Sequence, residues 1–142
     1  MTALARQYGS SMPTIDDVAR VAMNLPEVTE GERHGTVTWF IGGKGFAWVR
    51  PFSKADIKRF GEATPPDGPI IAVRVADLAE KEAVLATSSD AFFTISHFDG
   101  YSAVLIQLPK VEPKALHDAI VDAWLACAPP RLAEAYVAKS EV

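Results

Sequence analysis

Between Thr36 and Val49 the chain reads strand, glycine turn, strand, and this constrains the fold more than any other stretch. Thr36-Val-Thr-Trp-Phe-Ile41 is dense in β-branched and aromatic residues, Gly42-Gly43-Lys44-Gly45 follows, and Phe46-Ala-Trp-Val49 resumes the same character. Glycine supplies the positive φ that a tight turn requires, so the pattern predicts a β-hairpin. A hairpin alone is marginal in water and needs further strands or helices packed on its apolar face. Gly42-Gly-Lys-Gly45 is not a phosphate loop, because the spacing is wrong and no helix follows.

The flanking sequence supplies that cover. Ile15, Val18, Ala22 and Leu25 recur at helical spacing after Pro13-Thr14, with Asp16 and Asp17 in the first turn, and Pro26 ends the run. Ser53 and Asp56 form a capping box for a short helix reaching Phe60. Thr64-Pro-Pro-Asp-Gly-Pro69 is a connector, and Ile70 to Val75 reads as a strand. Asp77 with Glu80 opens a helix that stops near Thr87. Ala91 to Ile95 and Ala103 to Leu108 read as strands around a Phe98-Asp-Gly-Tyr101 turn. Leu116, Ala119, Ile120, Ala123, Trp124 and Cys127 form one apolar helical stripe, which Pro129 and Pro130 break before a last helix through Tyr136. The expectation is an α+β fold: a single antiparallel sheet with helices packed on one face. A loose leader over 1–12, one domain over 13–139 and a short tail over 140–142 complete the expected organisation.

Composition excludes several function classes. The 142 residues carry 14 Lys plus Arg against 18 Asp plus Glu, a net charge of −4, which argues against a strongly basic nucleic-acid binder. A single cysteine, Cys127, rules out an internal disulfide framework and a Cys-rich zinc site. The start has no apolar signal core, and the longest apolar run, Ala123 to Ala128, is far short of the roughly 20 residues of a membrane span. These features predict a reduced, cytoplasmic protein without membrane attachment.

Two sets of residues are candidates for function. Lys44, Arg50, Lys54, Lys58 and Arg59 stand against only Asp56 between Lys44 and Phe60, a local net charge of +4 in an acidic chain. Phe46, Trp48, Phe52 and Phe60 are interleaved with them, and cations with aromatic rings suit a phosphate-rich partner such as DNA or RNA. Such binding would be weak and salt-sensitive, with about two to four phosphates contacted. The bland counterpart is a core of rings under a solvated lysine face. In the other set, Glu30, Glu32 and His34 alternate and would share one face of an extended strand. His97 and Asp99 bracket the turn at Gly100, where Asp99 would cap the backbone and His97 would pin the loop. Neither grouping has the spatial logic of a triad or a full set of metal ligands, so no catalytic residue, metal or cofactor is assigned. Cys127 and Trp124 read as core, and His117 is given no role.

Three segments together resemble the MmcQ/YjbR family. They are Thr29-Glu-Gly-Glu-Arg-His-Gly-Thr36 with Phe40 and Gly42-Gly-Lys44; Phe92-Phe-Thr94 with His97-Phe-Asp-Gly-Tyr101 and Ala103-Val-Leu105; and Asp122-Ala-Trp124 with Ala128-Pro129 and Arg131-Leu132. The resemblance runs from about Ile15 to Tyr136. It departs from the family pattern at Arg33, Ser96, Ser102 and Pro130. It implies a CyaY-like sheet with helices on one side, a DNA-binding label that rests on fold analogy, and no established catalytic activity. The family's recurrent polar positions fall on Glu30, His34, His97, Asp99 and Arg131. The leading expectation is therefore a non-enzymatic protein that binds nucleic acid weakly through the basic 44–60 region. The alternative is a small-ligand or protein-interaction module built on the Glu30/His34/His97/Asp99/Arg131 cluster.

Overall fold

The computed structural model describes residues 12–140. Residues 1–11 of the expected leader and 141–142 of the tail lie outside the described residues. The chain runs α1 (Ile15–Met23), β1 (Thr29–Arg33), β2 (Thr36–Ile41), β3 (Lys44–Val49), α2 (Lys54–Arg59), β4 (Ile70–Arg74), α3 (Leu78–Thr87), β5 (Phe92–Phe93), β6 (Ala103–Gln107), α4 (Pro113–Cys127) and α5 (Pro130–Ser140). Short 3-10 turns at 96–98 and 108–110 flank β6. All strand pairings are antiparallel, in the order β1-β2-β3-β4-β6-β5. This is the α+β architecture with one antiparallel sheet that the hydrophobic patterning predicts.

Local signals account for most element boundaries. Gly42 and Gly43 both have positive φ, 58° and 82°, and close the β2–β3 hairpin in two residues. A second two-residue turn precedes it, where His34 and Gly35 have φ of 55° and 81°. Thr14 and Ser53 each form a complete capping box, with Asp17 and Asp56 respectively. The Asp77 carboxylate accepts the Glu80 N–H at 2.8 Å to start α3. The predicted strand over Ala91 to Ile95 is shorter than expected, pairing only at Phe92 and Phe93 before the chain turns away.

Pairing register sorts the side chains onto two faces. Glu30, Trp39, Ala47, Val73 and Val104 lie opposite one another across successive strands and point to one side. On that side α1 and α4 bury Val18, Ala22, Leu116, Ile120, Ala123 and Trp124 against Trp39, Ile41, Ile71 and Ile106. The stripe predicted on α4 is thus the core face. The alternate row, Gly31, Thr38, Trp48, Ala72, Leu105 and Phe93, points to the other side. The expected one-sided helix cover is extended there, because α2 and the 96–101 turn cover part of this second face. Ile70, Ala72, Phe98, Ala103 and Leu105 form a smaller core beneath them, with Trp48, Phe52 and Phe93 packed alongside. That partial cover leaves a concavity between the turn, α2 and the β1–β3 end of the sheet.

A candidate anion-binding cleft

The concavity is a cleft of about 720 Å³, within the size range of small-molecule sites. Its floor is Thr38 and Trp48 from β2 and β3, neighbours in the alternate row. His97, Phe98 and Tyr101 form one wall, and Arg50, Asp56 and Arg59 form another. Arg33 and His34 close the end nearest the β1–β2 turn. The Arg33 guanidinium lies over the Phe40 ring, 4.9 Å from its centroid. A Cβ at position 45 would stand 3.2 Å from Arg33 Nη1 and 2.9 Å from Thr38 Cγ2, so Gly45 makes room for this arrangement. Three arginines and one carboxylate line the cleft, so it is cationic although the chain is acidic.

The carboxylate is what orders the cations. Asp56 is 3% exposed. Its Oδ2 accepts from Arg50 Nη1 at 2.9 Å and from the Ser53 N–H at 2.9 Å, and its Oδ1 accepts from Arg59 Nη1 at 3.5 Å. Burial alone would raise the Asp56 carboxyl, but the Ser53 backbone and hydroxyl and the Arg50 guanidinium hold it below the ordinary carboxylate range. Arg50 Nη1 also donates to the Pro51 carbonyl, and its guanidinium lies over the Phe98 ring at 5.5 Å. One ionised carboxylate therefore holds Arg50 closely and Arg59, half exposed, at the limit of a hydrogen bond, and each guanidinium retains N–H groups for an incoming anion.

A family model described as YjbR matches residues 23–126, a span that contains every residue lining the cleft. This chain is a member of the YjbR family. It is similar to the uncharacterized protein Mb2600 of Mycobacterium bovis and the uncharacterized protein Rv2570 of Mycobacterium tuberculosis. Each is 42% identical over 131 residues, covering 91% of this chain and 99% of the relative.

The YjbR fold brings together residues that the sequence assigns to different sets. Arg50 and Arg59 from the basic segment meet His34 and His97 from the polar set in one cleft. The rest of each set lies elsewhere. Lys44 begins β3, at the opposite end of the strand from Arg50, beside a hairpin tip whose Gly42 abuts Pro129. Lys54 and Lys58 are exposed on α2 and do not line the cleft. The expected alternation of Glu30, Glu32 and His34 on one face fails at His34, because the two-residue turn rotates it out of the strand. Glu30 points to the helix side and accepts the Trp39 indole N–H at 2.9 Å. Arg131 stands 3.9 Å from Glu27, outside the cleft. Asp99 lies near Lys81 rather than in the cleft. Glu30, His34, His97, Asp99 and Arg131 are therefore not one cluster; only His34 and His97 share the site.

Cys127 is buried, and burial pushes its thiol up despite the opposing charges of Arg74 and Lys44, in keeping with a core residue. Among the described residues no group of three or more His, Cys, Asp or Glu is arranged to hold a metal, and no helix is long and apolar enough to cross a membrane. A second groove, of about 610 Å³ between α3 and α4, is rimmed by Glu80, Asp118 and Asp122 and is electrostatically the opposite of the first.

Lys81 escapes a reading of the sequence by pattern. It lies on α3, is 7% exposed, and its Nζ donates to the carbonyls of Phe98 at 2.6 Å and Tyr101 at 2.8 Å. Burial lowers its pKa, and the Asp99 carboxylate opposes that shift. The one available signal is its place one turn before Val84 and Leu85, on the inward side of α3. Lys81 clamps the turn that supplies His97, Phe98 and Tyr101, in which Gly100 has φ of 74°. Lys81→Met keeps the apolar stem and removes two charge-assisted bonds. It is expected to cost about 1.5–3 kcal/mol and to speed amide hydrogen exchange at Asp99 and Tyr101. An unchanged urea midpoint and unchanged exchange would show that the clamp has no role.

Proposed function

We propose that this YjbR-family protein is a non-enzymatic binding module whose ligand is a small anion held in the cleft. The observation that carries this reading is the Arg50–Asp56–Arg59 arrangement, two guanidinium groups paired with one buried carboxylate in a concave site. The same arrangement favours binding over catalysis. Asp56 is the buried carboxylate of the site, and its oxygens are occupied by Arg50, Arg59 and the Ser53 N–H, which leaves it ionised and engaged rather than poised to take a proton. A two-dimensional NMR titration with pyrophosphate at low ionic strength tests the reading. Shifts are expected to cluster at 33–38, 48–59 and 97–101 and to be lost in the Arg50→Gln/Arg59→Gln double variant. Shifts scattered over surface lysines, or none at all, would refute it.

Weak nucleic-acid binding is a second reading, favoured by the exposure of Lys54 and Lys58 on α2 beside the cleft. With Arg50 and Arg59 they offer four cations on one side of the sheet. For duplex DNA this predicts a log–log salt slope of roughly −2 to −4. Replacing Lys54 and Lys58 by Ser separates the two readings: oligonucleotide binding should fall while the pyrophosphate shifts in the cleft persist. Oligonucleotide binding that is absent at low salt, or insensitive to these substitutions, would dismiss the nucleic-acid reading.

A further inference from the structure

The cleft has a second property besides charge. Trp48 is half-buried on its floor, and Tyr101 is 41% exposed on its wall. Their ring centroids are 6.4 Å apart and the rings are inclined at 49°, so they form an aromatic corner rather than a closed stack. Phe98 backs Tyr101 at 5.6 Å, nearly edge to face, and the Arg74 guanidinium lies 5.3 Å over the Tyr101 ring. Tyr101 is thereby held in place with an exposed surface towards the cleft. An aromatic corner beside two guanidinium groups matches a ligand in which a planar ring and an anionic group are joined by a short polar spacer.

We propose that the ligand is a mononucleotide, with its phosphate at Arg50 and Arg59 and its base against Trp48 and Tyr101. This rests on the anion-binding reading of the same cleft. A phosphate monoester suits paired guanidinium forks, since its terminal oxygens can accept bidentate bonds from both. A base stacks on an indole without regard to sequence, because every base has a π-face. His34 and His97, which also line the cleft, can hydrogen-bond a ribose or phosphate oxygen in either tautomer. An inorganic anion or an aliphatic carboxylate would use the arginines and leave the aromatic corner unfilled.

The protein carries its own reporter. Of its three tryptophans, Trp39 and Trp124 are fully buried and Trp48 alone meets the cleft. Fluorescence excited at the red edge of the tryptophan band can be followed during titration with adenosine 5′-monophosphate, ribose 5-phosphate, adenosine and inorganic phosphate. The nucleotide should quench saturably and bind about tenfold more tightly than ribose 5-phosphate, the factor supplied by a single base–aromatic stack. Trp48→Leu should abolish the quench and, by calorimetry, the tenfold preference. If circular dichroism shows that this variant fails to fold, Tyr101→Ala, at an exposed position, should reduce the preference instead. Equal affinity for nucleotide and ribose 5-phosphate would overturn the base contact and leave the anion reading standing. Equal affinity for nucleotide and adenosine would overturn the phosphate contact. No binding by any phosphate compound would remove both readings. A single-stranded oligonucleotide bound more than tenfold more tightly than the mononucleotide would replace the free nucleotide with a strand as the ligand.

Discussion

Trp124→Ala is expected to lower the stability of the domain by about 3–5 kcal/mol, the usual cost of removing a fully buried large aromatic side chain. Trp124 is 0% exposed and projects from α4 into the main core. Its indole N–H donates to the Pro26 carbonyl at 3.1 Å, and its ring packs 5.2 Å from that of Tyr136 on α5. One side chain thus ties α4 to the end of α1 and to the C-terminal helix. The truncation leaves a cavity and an unpaired carbonyl together, and both terms act in the same direction. Urea denaturation followed by far-ultraviolet circular dichroism measures the loss. A midpoint equal to that of the native protein would show that the α4 stripe does not organise the core.

Asp56→Ala is expected to cost about 3 kcal/mol, the lower end for breaking a buried ion pair. The lower end applies because the Arg50 side chain retains 18% exposure, so water can partly solvate the freed guanidinium. The substitution also removes half of the capping box of α2. Its pH dependence identifies the cause. The folded-state pKa of Asp56 is lowered, so its stabilisation is fully present above the unfolded value of about 4. It is lost as pH falls from there through the folded value. The native protein should therefore lose stability across that acid range more steeply than Asp56→Asn. Parallel pH profiles would show that the carboxylate charge contributes nothing. Pyrophosphate binding should weaken in Asp56→Ala, because Arg50 and Arg59 lose the group that orients them.

Both residues were legible in the sequence in unequal measure. Trp124 belongs to a stripe whose helical spacing identifies its burial directly. Asp56 was legible as a cap, since Ser53 and Asp56 stand at capping-box spacing, but its bond to Arg50 was not. That bond depends on how the chain turns at Pro51 to lay α2 over the sheet. Lys81 shows the same limit more strongly. A lysine on a helix is ordinarily solvated, and only the approach of the 98–101 carbonyls makes burial of this one favourable. The grouping of Glu30 with His34 failed for a local reason: the alternation of a strand holds only until a turn interrupts it, and His34-Gly35 is such a turn.

The sequence by itself determined the hairpin at Gly42-Gly43, the helix starts at Thr14, Ser53 and Asp77, the buried stripe of α4 and the α+β class. These rest on short-range physics: positive φ at glycine, side-chain bonds to nearby backbone N–H groups, and apolar periodicity. Only the tertiary structure decided that His34, Trp48, Arg50 and His97 share a cleft, and that Glu30, Asp99 and Arg131 do not. Sheet register chooses the face on which each strand residue emerges, so it separates Glu30 from Trp48, while the turns at 34–35 and 96–101 place His34, His97 and Asp99. Two-residue turns set the register of β1, β2 and β3 locally, whereas β3, β4 and β6 are distant in sequence and are aligned by the collapse of two cores on opposite sides of one sheet. The candidate site is a product of that alignment, which no single segment of the chain encodes.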